Sequence, residues 1–435
     1  MRFRIIEWKT AGSEERSRLL NRSELNVDKV MDSVTAICDA VGERGDEAVR
    51  EFSARFDGAT DQSLPLQLAP SEIEEAVRTL DAEVRAALDY AIENVRKAHE
   101  HQRPEALVLT ETRPGVLAGE RTTPIPAVGL YVPRGKGSFP SMLYMLAVPA
   151  SIAGVPRLCL CSPPDNTGKL DPAVVYSAAS CGIHEIYRIG GAHAIAAMAL
   201  GTQSVKRVDK IVGPGSTVIA AAKRVLRDRV DVGLPAGPSE SMIIADETDD
   251  PYTIAIDMLI EAEHGSESQA LLITTSRELA DRVGEIVPGL VSDTPEPQRG
   301  FLESVFGSYG GAILVDDLDQ ATAVANEFAP EHLQLRTADP WSLVGRIDSA
   351  AEILIGSNSA FSLANYVAGA NAVLPTGGMA RSWSGVSVMD FVKRSSVVQV
   401  TREGFEELSP RAALLADYEG FHWHARALRD RGGSP

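Results

Sequence analysis

The stretch AVGLYVPRGKGSFPSMLYMLAVPASIAGVPRLCLCS, residues 127–162, decides how this chain folds. It opens and closes on short apolar runs, AVGLYV and RLCLCS, each of strand length. Between them lies SMLYMLAVPASIAG, a helical stretch closed by Gly154. The alternation continues with helix PAVVYSAASCG, strand HEIYRIG, helix AHAIAAMALG and strand DKIV. It argues βαβ units and a parallel sheet over about Ile125 to Asp231. A second series follows: strand SMIIAD, helix PYTIAIDMLIEAEHG, strand ALLITT, helix RELADRVGEIV, strand AILVDD and helix LDQATAVANEFA. Inside it, PEPQRGFLESVFGSYGG (295–311) reads as irregular or linking. Two α/β domains are expected, with ligands at the carboxyl ends of their strands.

Upstream, VDKVMDSVTAICDAVGERGDEAVREFSARF carries helical apolar spacing broken near Gly42 and Gly45. PSEIEEAVRTLDAEVRAALDYAIENVRKAHEHQRP begins on a Ser71–Glu74 capping box and stops before Pro104. The chain ends in a helical stretch, ALLADYEGFHWHARALRDR.

At 435 residues, the chain has room for two or more cores. Its formal net charge of −18 disfavours nucleic acid and anionic membrane surfaces as partners. Four cysteines, Cys38, Cys159, Cys161 and Cys181, form no C-x-x-C pair, so neither a disulfide framework nor a cysteine zinc site is expected. The N-terminal MRFRIIEWKTAGSEERSR has no apolar signal core, and no run is long enough to span a bilayer. A cytoplasmic location is the expectation.

Polar residues gather at a few points. In DMLIEAEHGSESQ, Glu261 and His264 share a helix face while Glu263 points elsewhere. The pair is either a solvated helix end closed by Gly265 or the start of a metal site. NEFAPEHLQL sets Glu331 beside His332, two groups able to move protons at one point. DYEGFHWHARAL offers Glu419, His422 and His424. His264, His332 and His424 all lie near carboxylates, and imidazole with carboxylate oxygen is what a catalytic zinc takes when thiols are absent. Gly190–Gly191 and Gly213-Pro214-Gly215 each stand between a strand and a helix, either as tight turns or as places for a pyrophosphate. Arg134 and Lys136 sit in a glycine-rich loop suited to an anionic ligand, and Ser239 precedes a strand in LPAGPSES.

With these residues in view, the chain resembles the histidinol dehydrogenase family. The likeness rests on VGLYVPRGKGSFPS, YRIGGAHAIAA, VDKIVGPGS, LPAGPSES, AEHG, APEHLQL, NYVAGANAVLPTGG and SVMDFVKRSS, in that order. It implies a zinc-containing, NAD-dependent enzyme that oxidises a primary alcohol through an aldehyde to a carboxylate. It also implies an α/β fold of two Rossmann-like parallel-sheet domains, with N-terminal helices and a C-terminal helical tail, in an intertwined homodimer whose tails exchange. The implied division is an N-terminal arm over 1–25, a discontinuous metal-site domain over 26–124 and 238–385, an NAD domain over 125–237, and a tail over 386–435.

The positions matching the family's metal ligands are Glu261, His264, Asn365 and His424. The family has Gln and Asp where this chain has Glu261 and Asn365, so the formal charge of the set is kept and both replacements offer an oxygen. This favours the metal reading of the helix end. Glu331 and His332 match the proton-transfer pair, while Ser239 and Glu419 match substrate contacts. Tyr131, His193 and Ser216 match nucleotide contacts, His193 replacing a Gln and Ser216 an Asn.

Two further departures concern the amine of histidinol: Phe361 stands where the family has Glu, and Ala372 where it has His. A cationic amine in a partly buried site needs acidic partners. A neutral or anionic alcohol is therefore expected, with 2,3-dihydroxypropane-1-sulfonate (sulfopropanediol) the candidate and Arg134 or Lys136 meeting its head group. Histidinol itself, a dehydrogenase that stops at the aldehyde, and a non-catalytic zinc- or nucleotide-binding scaffold remain the alternatives.

Overall fold

The apolar runs of both series pair as parallel strands in the computed structural model, which describes residues 3–20, 27–58, 61, 63–134 and 137–432. In chain order the strands are β1 (Ile5–Glu7), β2 (Leu107–Arg113), β3 (Val116–Pro124), β4 (Ala127–Tyr131), β5 (Arg157–Ser162), β6 (Glu185–Arg188) and β7 (Lys210–Val212). They continue with β8 (Glu240–Ala245), β9 (Gln269–Thr274), β10 (Gly311–Leu314), β11 (His332–Arg336), β12 (Glu352–Ile355) and β13 (Val392–Val400). The backbone forms two compact units, Met1–Gln102 with Pro126–Phe391, and Arg103–Ile125 with Val392–Pro435.

The first unit holds both parallel sheets. One has the order β6-β5-β4-β7, as the 127–162 stretch requires. The other has the order β1-β10-β9-β8-β11-β12. From β8 the chain winds outward to β9 and β10, then returns to place β11 and β12 on the other side of β8. The direction of winding thus reverses between β8 and β11. Central strands β8, β9 and β11 are buried along their whole length, because helices cover both faces. Among the described residues no helix is long and apolar enough to cross a membrane.

Several local expectations are corrected. The 295–311 stretch contains the helix Gln298–Ser308, with Leu302, Val305 and Phe306 buried at helical spacing despite Gly300 and Gly307. The long pattern from Pro70 is two helices, Pro70–Thr79 and Ala82–Glu100, because Asp81 accepts the Glu83 and Val84 N–H groups and starts the second. The first begins one residue earlier than its Ser71–Glu74 signal. Pro70 takes the first helical position, where its missing N–H costs nothing, and Glu72 accepts the Ala69 N–H. Of the two glycine breaks, Gly42 lies within the helix Met31–Arg44, and the chain turns only at Gly45, with φ of 59°.

The second unit is an antiparallel sheet, β13-β3-β2, followed by the helices Arg402–Tyr418 and His422–Gly432. It leaves Leu414, Leu415, Tyr418, Phe421 and Trp423 exposed. A folded chain rarely leaves so many large apolar side chains so near one another in water without a partner surface.

Candidate active site

Helix Pro251–Ala262 follows β8 and runs antiparallel to the strands, so its C-terminus arrives at the amino edge of the six-stranded sheet. That edge is where β8, β11 and β12 begin, on Glu240, His332 and Glu352. The polar cluster therefore gathers at the amino ends of these strands, not at the carboxyl ends expected from sequence. The helix returning from β8 puts its polar C-terminal end at this edge.

Glu261 is the hub, with only 1% of its surface exposed. His264, one helical turn on, places Nδ1 3.0 Å from Glu261 Oε2 and 3.1 Å from Ser239 Oγ. Asn365, on helix Phe361–Tyr366, donates its amide N–H to Glu261 Oε1 at 2.6 Å. Glu263 is the exposed C-cap and takes no part. The swapped positions 261 and 365 are thus in direct contact, and exchanging carboxylate for amide keeps both the hydrogen bond and the charge of the pair.

Glu331 and His332 adjoin this group. Helix Leu318–Phe328 is stopped by Ala329, whose left-handed backbone (φ 55°) is unusual for a residue with a side chain, and Pro330 follows. The chain then enters β11 with Glu331 and His332 both buried. His332 Nε2 lies 4.0 Å from Glu261 Oε2 and 3.9 Å from Glu331 Oε1. On its other side Nδ1 is 2.7 Å from Glu352 Oε2. Glu331 accepts the Glu240 backbone N–H at 2.9 Å. Phe361 is fully buried, its ring edge-on to His332 at 5.8 Å, so it forms the back of the imidazole.

The electrostatics follow from crowding carboxylates around two imidazoles. Burial opposes charge on Glu261, but His332 and His264 outweigh it and hold its pKa down at about 2. Burial also opposes charge on His332, yet Glu261, Glu331 and Glu352 raise it to about 10. Glu331 is pushed up to about 8, first by burial and then by the charge of Glu261. Burial works against the charged form of His264, and Glu261 overcomes it to raise that group as well. The pocket is richer in negative than in positive charge.

Beneath it runs a buried polar seam that sequence reading missed. Gln334 and Arg336 lie on the same face of β11 as His332, and Asp257 lies one turn before Glu261. Arg336 makes two hydrogen bonds to Asp249 and one to Asp257, and Gln334 donates to Asp257 as well. The seam fixes the register of the helix on the strand, and with it the separation of Glu261 from His332.

At the four-stranded sheet a cavity lies at the carboxyl end of a strand. Its volume is about 1220 Å³, and it opens where β7 ends, lined by Gly213, Gly215, Lys223, Glu240, Gly377 and Trp383 among others. Only glycine fits at 213, where φ is 130° and a Cβ would lie 2.0 Å from the Tyr131 carbonyl oxygen. Lys223 donates to the Gly213 carbonyl at 2.6 Å. Ser216 is the exposed N-cap of the next helix, beside this cavity, and makes no side-chain cap. The Gly190–Gly191 turn differs. Asp57 accepts the Gly190 N–H at 3.0 Å and lies 3.0 Å from His193 Nε2, so a carboxylate already sits where a pyrophosphate was an option. His193 and Tyr131 are buried beneath that turn, and the Tyr131 hydroxyl accepts the Gly191 N–H.

Arg134 is exposed after β4 and makes none of the hydrogen bonds or ion pairs of the Glu261 group among the described residues. Lys136 lies outside the described residues. In the second unit, Glu419 and His424 line one groove of about 510 Å³ with Leu415, Phe421 and Leu428. Glu240, Lys223 and Glu352 were not singled out from sequence, since each is a lone polar residue in an apolar or basic run.

A buried carboxylate–imidazole cluster is thus joined through Glu240 to a strand-end cavity, as an α/β enzyme that binds a nucleotide would require. Comparison with known proteins shows the family. The family model described as Histidinol dehydrogenase matches residues 20–432. A histidinol dehydrogenase of Synechocystis sp. is 47% identical over 98% of this chain and 99% of its own. A histidinol dehydrogenase homolog of Colwellia psychrerythraea is 43% identical over 96% and 94%. The crystal structure of histidinol dehydrogenase from Elizabethkingia anophelis superposes with a TM-score of 0.93 at 31% identity, covering 99% of this chain and 98% of that one.

The chain belongs to the histidinol dehydrogenase family. Its members are NAD-dependent oxidoreductases acting on CH–OH groups, with NAD and Zn2+ as cofactors.

Proposed function

We propose that this chain oxidises a primary alcohol through a bound aldehyde to a carboxylate, using two NAD, and that an alcohol other than histidinol is its main substrate. The observation that carries the reading is the convergence of Glu261, His264, Asn365, Ser239, Glu331 and His332 at one sheet edge.

The residues fit a zinc ion. Glu261 and His264 are an oxygen and a nitrogen donor of suitable hardness, Asn365 carries an amide oxygen, and the surplus of buried carboxylate calls for a cation. Among the described residues no three His, Cys, Asp or Glu side chains are grouped for a metal. His424 of a second copy would supply the remaining ligand, with Glu419 reaching the substrate. The exposed apolar flank of that helical hairpin supports such a homodimer with exchanged tails. The strand-end cavity, with Gly213, Ser216 and Lys223, would take NAD; Tyr131 and His193 would support the neighbouring Gly190–Gly191 turn from below. When bound, zinc fixes and polarises the substrate oxygen, and NAD accepts hydride.

The chain's own part is proton traffic. In the metal-free pocket the three carboxylates favour the protonated imidazole; a cation bound against Glu261 would offset that charge and free Nε2 of His332 to take the hydroxyl proton in the first oxidation. Glu331, whose pKa of about 8 suits proton exchange near neutral pH, takes a proton from water as that water adds to the aldehyde. Burial of both groups keeps bulk water from the aldehyde. A cytoplasmic site of action fits the reduced, buried state of all four cysteines.

Phe361 and Ala372 provide no charge to a substrate ammonium, which favours a neutral or anionic alcohol such as 2,3-dihydroxypropane-1-sulfonate. A second reading, histidinol itself, is favoured by the relative from Synechocystis and by the anionic pocket. The test is a screen of zinc-loaded protein with histidinol and sulfopropanediol side by side, counting NADH per alcohol. Faster turnover of histidinol overturns the substrate proposal. A ratio near one removes the second oxidation.

A further inference from the structure

The geometry points to Glu352 as the positioning residue of His332: its carboxylate holds the Nδ1–H and leaves Nε2 facing the reacting oxygen. The inference rests on the reading that His332 takes the alcohol's proton, and it adds what makes that proton transfer directional.

The strand ladder produces the pairing. His332 and Glu352 open neighbouring parallel strands and are register partners, so their side chains rise on the same face at the same level. The Glu352 backbone N–H donates to the Glu331 carbonyl at 3.0 Å, fixing the two strand starts together. The side chains then meet at 2.7 Å between Nδ1 and Oε2, the length of a charge-assisted hydrogen bond. Nε2 has only the 3.9 and 4.0 Å approaches to Glu331 and Glu261, too long for a hydrogen bond. The ring is therefore anchored at one nitrogen and open at the other. Phe361, edge-on at 76°, resists rotation of the ring about its anchor.

Glu352 has no competing task in view. Its second oxygen, Oε1, is buried and lacks a hydrogen-bond partner among the described residues. A buried carboxylate kept for stability alone would have that oxygen satisfied, because an unmet acceptor away from water is costly. What the group accomplishes is tautomer selection: a carboxylate on Nδ1–H leaves the lone pair on Nε2 and steadies the imidazolium formed when Nε2 takes a proton. Glutamine at 352 can donate to Nδ1 and impose the opposite tautomer, while aspartate keeps the charge on a shorter arm.

The experiment compares Glu352→Gln, Glu352→Asp and His332→Asn in zinc-loaded full-length protein, with histidinol and sulfopropanediol as probes. Zinc content is measured alongside, and the proton NMR spectrum is examined for the downfield imidazole N–H of a carboxylate-bound histidine. In Glu352→Gln, kcat should fall about 100- to 1000-fold while KM and zinc content stay within about threefold. Glu352→Asp should recover part of the loss. The downfield resonance should be present in the native protein and vanish in both Glu352→Gln and His332→Asn. A Glu352→Gln kcat within twofold of native, or a loss lying in KM alone, overturns the inference; so does absence of the resonance from the native protein, which needs no variant to fold. If His332→Asn retains activity, the reading of His332 as base fails instead. If His332→Asn is dead while Glu352→Gln is unaffected, only the role of Glu352 falls.

Discussion

Exchanging amide and carboxylate between positions 261 and 365 probes whether this pair is one electrostatic unit. Glu261 Oε1 accepts the Asn365 amide at 2.6 Å, in a place from which water is excluded. Asn365→Asp alone sets two carboxylates about 3 Å apart; at an effective dielectric of about 20 they repel by about 5 kcal/mol. That equals about 4 pKa units, so without metal one of the two keeps a proton at neutral pH. Glu261→Gln alone leaves two facing amides and no anion, and zinc affinity should fall by more than about 100-fold, beyond the loss typical of an outer-shell partner. The double variant has the same charge and the same hydrogen bond with donor and acceptor reversed. With Asn365→Asp alone binding zinc no more weakly than native, the double variant should bind within about tenfold of native, a coupling of about 1.4 kcal/mol or more in a double-mutant cycle. The assay is zinc retained after dialysis against a graded chelator, with thermal melts of the metal-free proteins to confirm folding. Losses that simply add, to within about 0.5 kcal/mol, would refute the coupling and with it the view that the two changes compensate.

Arg336→Met strips the cation from buried Asp257 and half-buried Asp249, and the first unit should lose about 3–5 kcal/mol, read by urea unfolding; a loss under about 1 kcal/mol would mean the seam is dispensable. Lys223 is held down at about 8 by burial, so its ammonium is present below that pH and gone above it. Anion binding there should weaken as pH rises through about 8, raising the Kd for NAD in calorimetry, and Lys223→Met should flatten the profile. A native Kd that ignores pH would place the diphosphate elsewhere. His264→Asn and His424→Asn should each be inactive, yet co-expression should restore about a quarter of native activity. Half the random dimers are then mixed, and in each one of two sites is intact if the tails exchange. No recovery in purified mixed dimers would keep His424 out of the neighbouring site.

How far the sequence announces this molecule depends on what covers each element. AVGLYV, RLCLCS and SMIIAD read as strands because a strand buried on both faces must be apolar throughout, and their glycine and proline borders mark the ends. The helix Gln298–Ser308 was hidden by the opposite effect: Gly300 and Gly307 look like loop punctuation, although Leu302, Val305 and Phe306 still fall on one buried face. The same cause hid the polar seam of Gln334, Arg336 and Asp257. In HLQLR, period-two alternation ordinarily sets Leu333 and Leu335 against the core and His332, Gln334 and Arg336 in water. Here the second face is roofed by helix Pro251–Ala262, which brings Asp257 and Glu261 down on it, so all five residues are buried. A strand that alternates inside a doubly covered sheet cannot be keeping its polar side for solvent. Those side chains must answer one another, and at the amino edge, where His332, Glu352 and Glu261 meet, one imidazole nitrogen is left without a hydrogen bond among the described residues. The polar residues that strand alternation alone would assign to solvent are therefore buried here as one connected cluster.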